Sequence, residues 1–195
     1  SASALCVDTQ DMILTVNENS HFTIASNQAE YCSGETINLS STIINSQAGD
    51  TYLWTPSADV NNPNAPNTSA VFTTLALAAK DFSLTVTKSN GCNNTENISG
   101  ILIHPEPAVS LNASSNTCAD VNDGQLDVDA TGGTPFGSSP FYTYSWSHNI
   151  ALTLSSATGL SSGSYTITVT DSKSCSAAKI FDVSQMPKPI GVFHD

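Results

Sequence analysis

Basic side chains are scarce in this sequence. Five lysines and no arginine stand against 17 acidic residues, so the 195-residue chain has a formal net charge of −12. A nucleic-acid-binding surface needs clustered lysine and arginine to displace counterions from phosphates. The composition therefore excludes nucleic acid as an expected partner.

Long apolar stretches are missing as well. No run approaches the roughly 18 apolar residues that suggest a membrane-spanning helix, so no membrane span is expected. Charged residues make up only 11% of the chain, and Ser, Thr and Asn fill most polar positions. Combined with β-branched apolar residues and scattered Gly and Pro, this composition is typical of all-β proteins.

A pattern of strands occurs twice along the chain. The segments TYLWTP (51–56) and DFSLTVTKSNGC (81–92) return in altered form as YTYSWS (142–147) and SYTITVTDSKSC (164–175). Each copy has a tryptophan strand and an alternating strand that runs into a turn ending in cysteine. These features predict an all-β fold of tandem immunoglobulin-like β-sandwich domains.

The spacing of the cysteines follows the same repeat. Cys6 and Cys92 are 86 residues apart, as are Cys32 and Cys118, and Cys175 follows Cys92 by 83. Two interleaved series predict one disulfide within each domain, Cys32–Cys92 and Cys118–Cys175. Persistent disulfides indicate an oxidising, extracellular location, on a cell surface or secreted.

The repeat also predicts the domain boundaries. Residues 29–106 and 108–186 are expected to form the two sandwiches, preceded by a polar connector that reaches about residue 28. Residues 1–18 are expected to be the last strand of a preceding repeat, and 187–195 a linker and the first strand of a following domain. Cys6 then belongs to that preceding repeat, the alternative being a reactive or intermolecular thiol.

An acidic cluster gives the best candidate metal site. Asp120, Asn122 and Asp123 begin like a calcium loop, because calcium takes several oxygen ligands from a flexible segment. The cluster departs from the EF-hand pattern, since Gly124 comes one place early and Thr131 replaces the final glutamate. The alternative is a turn at Asp123-Gly124 with solvated charges around it. Apart from calcium, no cofactor is expected.

Catalytic constellations are not apparent. No nucleophile, base and orienting group stand in a recognisable arrangement, so an enzyme is not expected. The histidines lack metal-ligand spacing and are expected at the surface; they are His21, His104, His148 and His194. Four aromatic residues could stack on sugars, although core packing is the alternative for them; these are Phe136, Phe141, Tyr142 and Tyr144.

Two resemblances to known families follow from these segments. Residues 31–103 contain YCSGETINL, YLWTP followed by NNPNAPNTSAVF, and FSLTVTKSNGC, and here the chain resembles the PKD-like domains of secreted and surface proteins of the Bacteroidota. Residues 110–184 contain TCADVNDGQLDVDATGGTPFGSSPFYTYSW and ATGLSSGSYTITVTDSKSC, which resemble the SprB-type repeat of giant gliding-motility adhesins. The insertion FGSSPF (136–141) departs from that repeat and lengthens the turn before the tryptophan strand.

The resemblances imply type IX secretion, tandem repetition and a role in adhesion or gliding. The expected function is a non-enzymatic structural and adhesive segment of a large extracellular repeat protein, such as a cell-surface adhesin, filament or appendage. Its partners would be neighbouring domains of the same chain, further copies in an appendage, and a cell-surface or polysaccharide ligand. The alternative is an ancillary carbohydrate-binding module of a secreted hydrolase.

Overall fold

A computed structural model describes residues 21–118 and 121–187 of the chain. In this part of the chain, thirteen strands form four sheets, and a single turn of 3-10 helix covers Ser57–Asp59. The prediction of an all-β fold built from tandem sandwiches is confirmed. The predicted strand at 1–18 and the segment 188–195 lie outside the described residues.

The first sandwich contains seven strands in two sheets. One sheet has the order β1-β3-β5, and the other has the order β2-β7-β6-β4, in which only the β2–β7 pair is parallel. The strands are β1 (His21–Ser26), β2 (Glu30–Cys32), β3 (Thr36–Ile44), β4 (Thr51–Thr55), β5 (Thr68–Val71), β6 (Ala78–Thr87) and β7 (Asn93–His104).

The second sandwich contains six strands, also in two sheets. Their orders are β8-β9-β11 and β10-β12-β13, and all pairs are antiparallel. The strands are β8 (Pro107–Ser115), β9 (Gly124–Gly132), β10 (Thr143–Trp146), β11 (Ser156–Leu160), β12 (Gly163–Thr170) and β13 (Ser176–Val183).

Alternation of side chains builds both cores. In β6 every second residue from Phe82 to Val86 is buried, and β12 buries Tyr165, Ile167 and Val169 in the same way. Successive strand residues point to opposite faces, so one face of each strand packs inward. Each sandwich therefore has its own cluster of buried apolar side chains.

The two tryptophans occupy equivalent positions in the two cores. Trp54 and Trp146 are both fully buried. The Trp54 indole N–H donates to the Ala65 carbonyl at 3.0 Å, and the Trp146 indole N–H donates to the Leu154 carbonyl at 2.9 Å. A buried indole needs such a partner, and both sandwiches supply it from the loop after the tryptophan strand.

The polar connector expected up to residue 28 is in fact part of the first sandwich. β1 pairs with β3 along its whole length, and Phe22 is buried in the core. The stretch HFTIAS alternates apolar and polar residues, so it meets the requirement for a strand with one buried face. The predicted start of this domain at residue 29 is therefore too late.

Candidate functional site

A disulfide joins the two sandwiches. Cys32 is the last residue of the edge strand β2 in the first sandwich, and Cys175 immediately precedes β13 in the second. Their sulfurs are bonded at 2.05 Å, and 143 positions separate the two residues in sequence. The bond holds the edge of one sandwich against the β12–β13 hairpin of the next.

The predicted Cys32–Cys92 disulfide is therefore wrong. Cys32 lies beside His104 at the carboxyl end of β7, whereas Cys92 precedes the first residue of the same strand. At roughly 3.3 Å per residue, the length of β7 separates the two cysteines by about 35–40 Å. A disulfide requires Cα atoms within about 7 Å of each other.

The predicted Cys118–Cys175 disulfide is wrong for the same reason. Thr117, next to Cys118, pairs with Gln185 beyond the carboxyl end of β13, while Cys175 precedes the beginning of that strand. The two cysteines thus lie at opposite ends of the second sandwich. Among the described cysteines, Cys92 and Cys118 are free.

A polar cluster crosses the junction beside the disulfide. One carboxylate oxygen of Glu30 accepts hydrogen bonds from the Lys173 ammonium group at 2.7 Å and pairs with His104 Nε2 at 2.8 Å. The Lys173 hydrogen bond, and after it the His104 contact, hold the pKa of Glu30 below its usual value. Since Glu30 and His104 belong to the first sandwich and Lys173 to the second, this ion pair bridges the two bodies.

A buried carboxylate shapes the turn that carries Lys173 and Cys175. Asp171 is only 2% exposed. Its Oδ1 accepts the backbone N–H groups of Lys173 at 2.9 Å and Cys175 at 3.0 Å, and its Oδ2 accepts the Thr134 N–H at 2.6 Å. A carboxylate that accepts three N–H groups fixes the local backbone. Asp171 therefore orients both residues that reach the first sandwich.

The peptide linker between the two sandwiches is short and lies at the same junction as the disulfide. Only Pro105 and Glu106 separate β7 from β8, and Pro105 and Pro107 are buried. Proline restricts its own φ and the conformation of the residue before it. Gly133 fits against this linker, since a Cβ there would lie 3.1 Å from the Pro107 nitrogen and 2.7 Å from Asp171 Oδ2.

We call the Cys32–Cys175 disulfide together with Glu30, His104 and Lys173 the junction clamp. The histidine prediction missed His104, which was expected at the surface but is only 4% exposed. Its position directly before a proline linker was the available signal. The partners of Glu30 had no signal in the sequence, because 143 positions separate it from Lys173.

The predicted calcium ligands are only partly visible. Asp120 lies outside the described residues, and Asn122 is exposed. Asp123 Oδ1 accepts the Cys118 N–H at 2.8 Å and the Thr117 hydroxyl at 3.0 Å, which lowers the pKa of Asp123. Within residues 21–118 and 121–187, no three His, Cys, Asp or Glu side chains are grouped to hold a metal ion. The calcium site stays a prediction.

The four candidate aromatic residues divide into two tyrosines that face the core and two exposed phenylalanines. Tyr142 belongs to the core, and its hydroxyl donates to the Gly132 carbonyl at 2.8 Å, while Tyr144 packs against the same core. Burial, with a smaller contribution from Asp171, raises the pKa of Tyr142. Phe136 and Phe141 are 37% and 53% exposed. Of the four candidate aromatic residues, Phe136 and Phe141 are therefore the two whose rings are most open to a carbohydrate.

Comparison with known proteins shows the fold and no family. No family model and no curated protein sequence matches the chain. The C-terminal 282-residue fragment of intimin, solved with the intimin-binding domain of its translocated receptor, superposes with a TM-score of 0.51 at 12% identity. That match covers 84% of this chain and 64% of the fragment.

Two further solved structures have lower TM-scores. The three N-terminal domains of the bacteriophage RB49 outer capsid protein Hoc give 0.36 at 17% identity over 85% of this chain. The fibronectin(III)-like modules of Clostridium thermocellum CbhA give 0.36 at 13% identity over 89%. The chain spans 59% of the Hoc fragment and 64% of the intimin fragment. The two domains are immunoglobulin-like β-sandwiches in fold.

None of the helices in the described part of the chain has the length and apolar character needed to cross a bilayer.

Proposed function

We propose that the chain is a structural and adhesive segment of a large extracellular repeat protein, and that its task is to transmit tension between consecutive sandwiches. The observation that carries this proposal is the disulfide between Cys32 and Cys175. It connects two domains rather than stabilising one. A bond in that position adds little stability to either core, and it strengthens the connection between the two sandwiches.

The position of the bond determines where a pulling force goes. Tension that enters the first sandwich before Cys32 and leaves the second after Cys175 can follow the disulfide. The residues between the two cysteines then lie outside the stretched covalent path. The ion pair of Glu30 with Lys173 and the buried proline linker support the same junction without contributing a covalent bond.

The cellular setting supports this role. Disulfides persist mainly in oxidising compartments outside the cytosol, and a net charge of −12 keeps a long array soluble. The resemblances to PKD-like domains and to the SprB-type repeat extend the proposal to a type IX secreted surface adhesin used in attachment or gliding. In such an array, repetition supplies reach and avidity.

Single-molecule pulling tests the proposal. The chain is held by handles outside residues 32 and 175 and stretched until both sandwiches unfold. A fully extended chain spans up to about 3.3–3.6 Å per residue, so the intact bond should withhold roughly 500 Å of contour length. The variant Cys32→Ser/Cys175→Ser should release that length.

The matched control is Cys92→Ser, which removes a free thiol of the same sandwich. It should behave like the unchanged chain. Equal released lengths for the unchanged chain and the double variant would contradict the proposal, because the bond would then lie outside the path of tension.

A further inference from the structure

The turn that carries the free Cys92 has the same backbone as the turn that carries the bonded Cys175. The Lys88 N–H donates to the Cys92 carbonyl at 2.8 Å, and the Gly91 N–H donates to the Lys88 carbonyl at 2.9 Å. In the second sandwich, the Asp171 N–H donates to the Cys175 carbonyl at 3.0 Å, and the Ser174 N–H donates to the Asp171 carbonyl at 3.1 Å. Cys92 is thus the first sandwich's copy of Cys175.

Cys118 corresponds to Cys32 in the same detail. The residue before each cysteine forms a parallel β-pair with a residue near the end of the last strand of its own sandwich. Tyr31 pairs with Ile103, and Thr117 pairs with Gln185. Each cysteine carbonyl accepts the N–H of the residue three positions later, at 3.1 Å for Cys32 and 3.3 Å for Cys118. The Cys32 N–H donates to the Glu35 carboxylate at 2.7 Å, and the Cys118 N–H donates to the Asp123 carboxylate at 2.8 Å.

The two free cysteines lie at the ends of the two described sandwiches that face away from the junction. Cys92 precedes β7, whose other end leads into the junction clamp, so Cys92 is at the outer end of the first sandwich. Cys118 lies beyond the carboxyl end of β13, at the outer end of the second sandwich. Cys118 is exposed and Cys92 is partly exposed. One end therefore presents the Cys175-like half of the clamp and the other end the Cys32-like half.

We propose that Cys118 of one copy of this chain forms a disulfide with Cys92 of a second copy, which joins the two-sandwich units head to tail. The bonded pair Cys32–Cys175 is the direct precedent, since it joins the same two positions in consecutive sandwiches. This inference deepens the proposed function and rests on it for the oxidising setting and the tandem arrangement.

The chemistry needs one oxidant, a low-molecular-weight disulfide such as glutathione disulfide. The Cys118 thiolate attacks one sulfur of that disulfide, forms a mixed disulfide and releases one glutathione thiolate. The Cys92 thiolate of the second copy then attacks the Cys118 sulfur and releases the second glutathione. Two protein thiols thereby lose two electrons and two protons, and one glutathione disulfide becomes two glutathione thiols.

The residues two positions before the free cysteines are neutral, whereas those two positions before the bonded cysteines are charged. Glu30 and Lys173 each stand two residues before a bonded cysteine, whereas Asn116 and Asn90 stand two residues before Cys118 and Cys92. The proposed contact thus has neither the ion pair nor a like-charge repulsion. Installing the missing charges gives a direct test of whether the geometry repeats.

The test uses the full chain with Cys6→Ser, incubated in a glutathione redox buffer and digested without reduction for mass spectrometry. Bonds between Cys92 and Cys118 should exceed Cys92–Cys92 and Cys118–Cys118 bonds several-fold. Asn116→Glu combined with Asn90→Lys should raise the yield of the mixed bond several-fold. Asn116→Lys with Asn90→Lys should lower it.

Two results would overturn the inference. One is a mixed bond no more than about twice as frequent as either symmetric bond, because random collision of two equally reactive thiols gives that ratio. The other is glutathione adducts without any bond between chains, with or without the installed charges. Cys92→Ser and Cys118→Ser should each stay monomeric when incubated alone, and a mixture of the two variants should stop growing at a dimer. Because the pulling experiment is made on single chains, it can succeed while this one fails, so the two proposals fail separately.

Discussion

At the scale of single residues, Glu30 is the most informative side chain. Its carboxylate meets His104 and Lys173, and these contacts lower the pKa of Glu30. A folded-state pKa below the ordinary glutamate value of about 4.3 means that the charged form stabilises the fold. That contribution is present above the ordinary value and is lost as the pH falls through the folded-state pKa.

Replacement of Glu30 by Gln should therefore change the acid dependence of stability. Between pH 6 and pH 3, the unchanged chain should lose more stability than Glu30→Gln, as measured by the midpoint of guanidinium unfolding. Glu106→Gln is the control, because Glu106 is an exposed residue of the linker. Identical acid dependence of Glu30→Gln and the unchanged chain would show that the ion pair does not stabilise the junction.

At the scale of elements, the two equivalent hairpin turns differ at one position. Gly91 has a φ of +89° and Ser174 a φ of +66°. This left-handed conformation costs a residue with a Cβ roughly 1–2 kcal/mol, and glycine adopts it readily. The first turn thus has the favourable residue, and the second has a strained one next to Cys175.

Exchange of the two residue types should have opposite effects. Ser174→Gly should stabilise the chain by about 0.5–1 kcal/mol, and Gly91→Ser should destabilise it by about 1–2 kcal/mol. No other atom lies near a Cβ placed at Gly91, so backbone conformation alone is tested. Urea unfolding of the oxidised chains measures the free energy of unfolding of both variants. Shifts of the same sign in the two variants would contradict the equivalence of the turns.

The strands were largely predictable, and the pairing of the cysteines was not. Alternation over 81–88 and 164–171 places β6 and β12 almost where they occur, because a half-buried strand must alternate. For the four described cysteines, the cysteine period correctly identifies which positions are equivalent. It does not distinguish a bond within one repeat from a bond between consecutive repeats, because that depends on which end of a sandwich each position occupies.

The site was less predictable than the fold for a related reason. Glu30, His104 and Lys173 come together only when the first sandwich is placed against the second, and no local pattern encodes that contact. Asp171 had a weak signal, since an aspartate before a turn often accepts backbone N–H groups. The aromatic residues Tyr142 and Tyr144 alternate as core residues do, and the structure places Tyr142 in the core and Tyr144, partly buried, against it.

At the scale of the whole molecule, the described residues form two sandwiches, and each carries one half of a clamp at the end that faces away from the junction. The inner junction combines a two-residue linker, a disulfide and an ion pair across the two bodies. Inter-domain contacts in most multidomain chains leave room for relative motion. Here a covalent bond opposes it, which suits a segment that transmits force.

Disulfide mapping tests the central claim most directly. The chain is alkylated without reduction, digested and examined by mass spectrometry. The expected result is a linked pair of peptides containing Cys32 and Cys175, with Cys92 and Cys118 of the unoligomerised chain alkylated. Linked peptides that join Cys32 to Cys92 and Cys118 to Cys175 would contradict the account, because each bond would then belong to a single sandwich and the junction would have no covalent clamp.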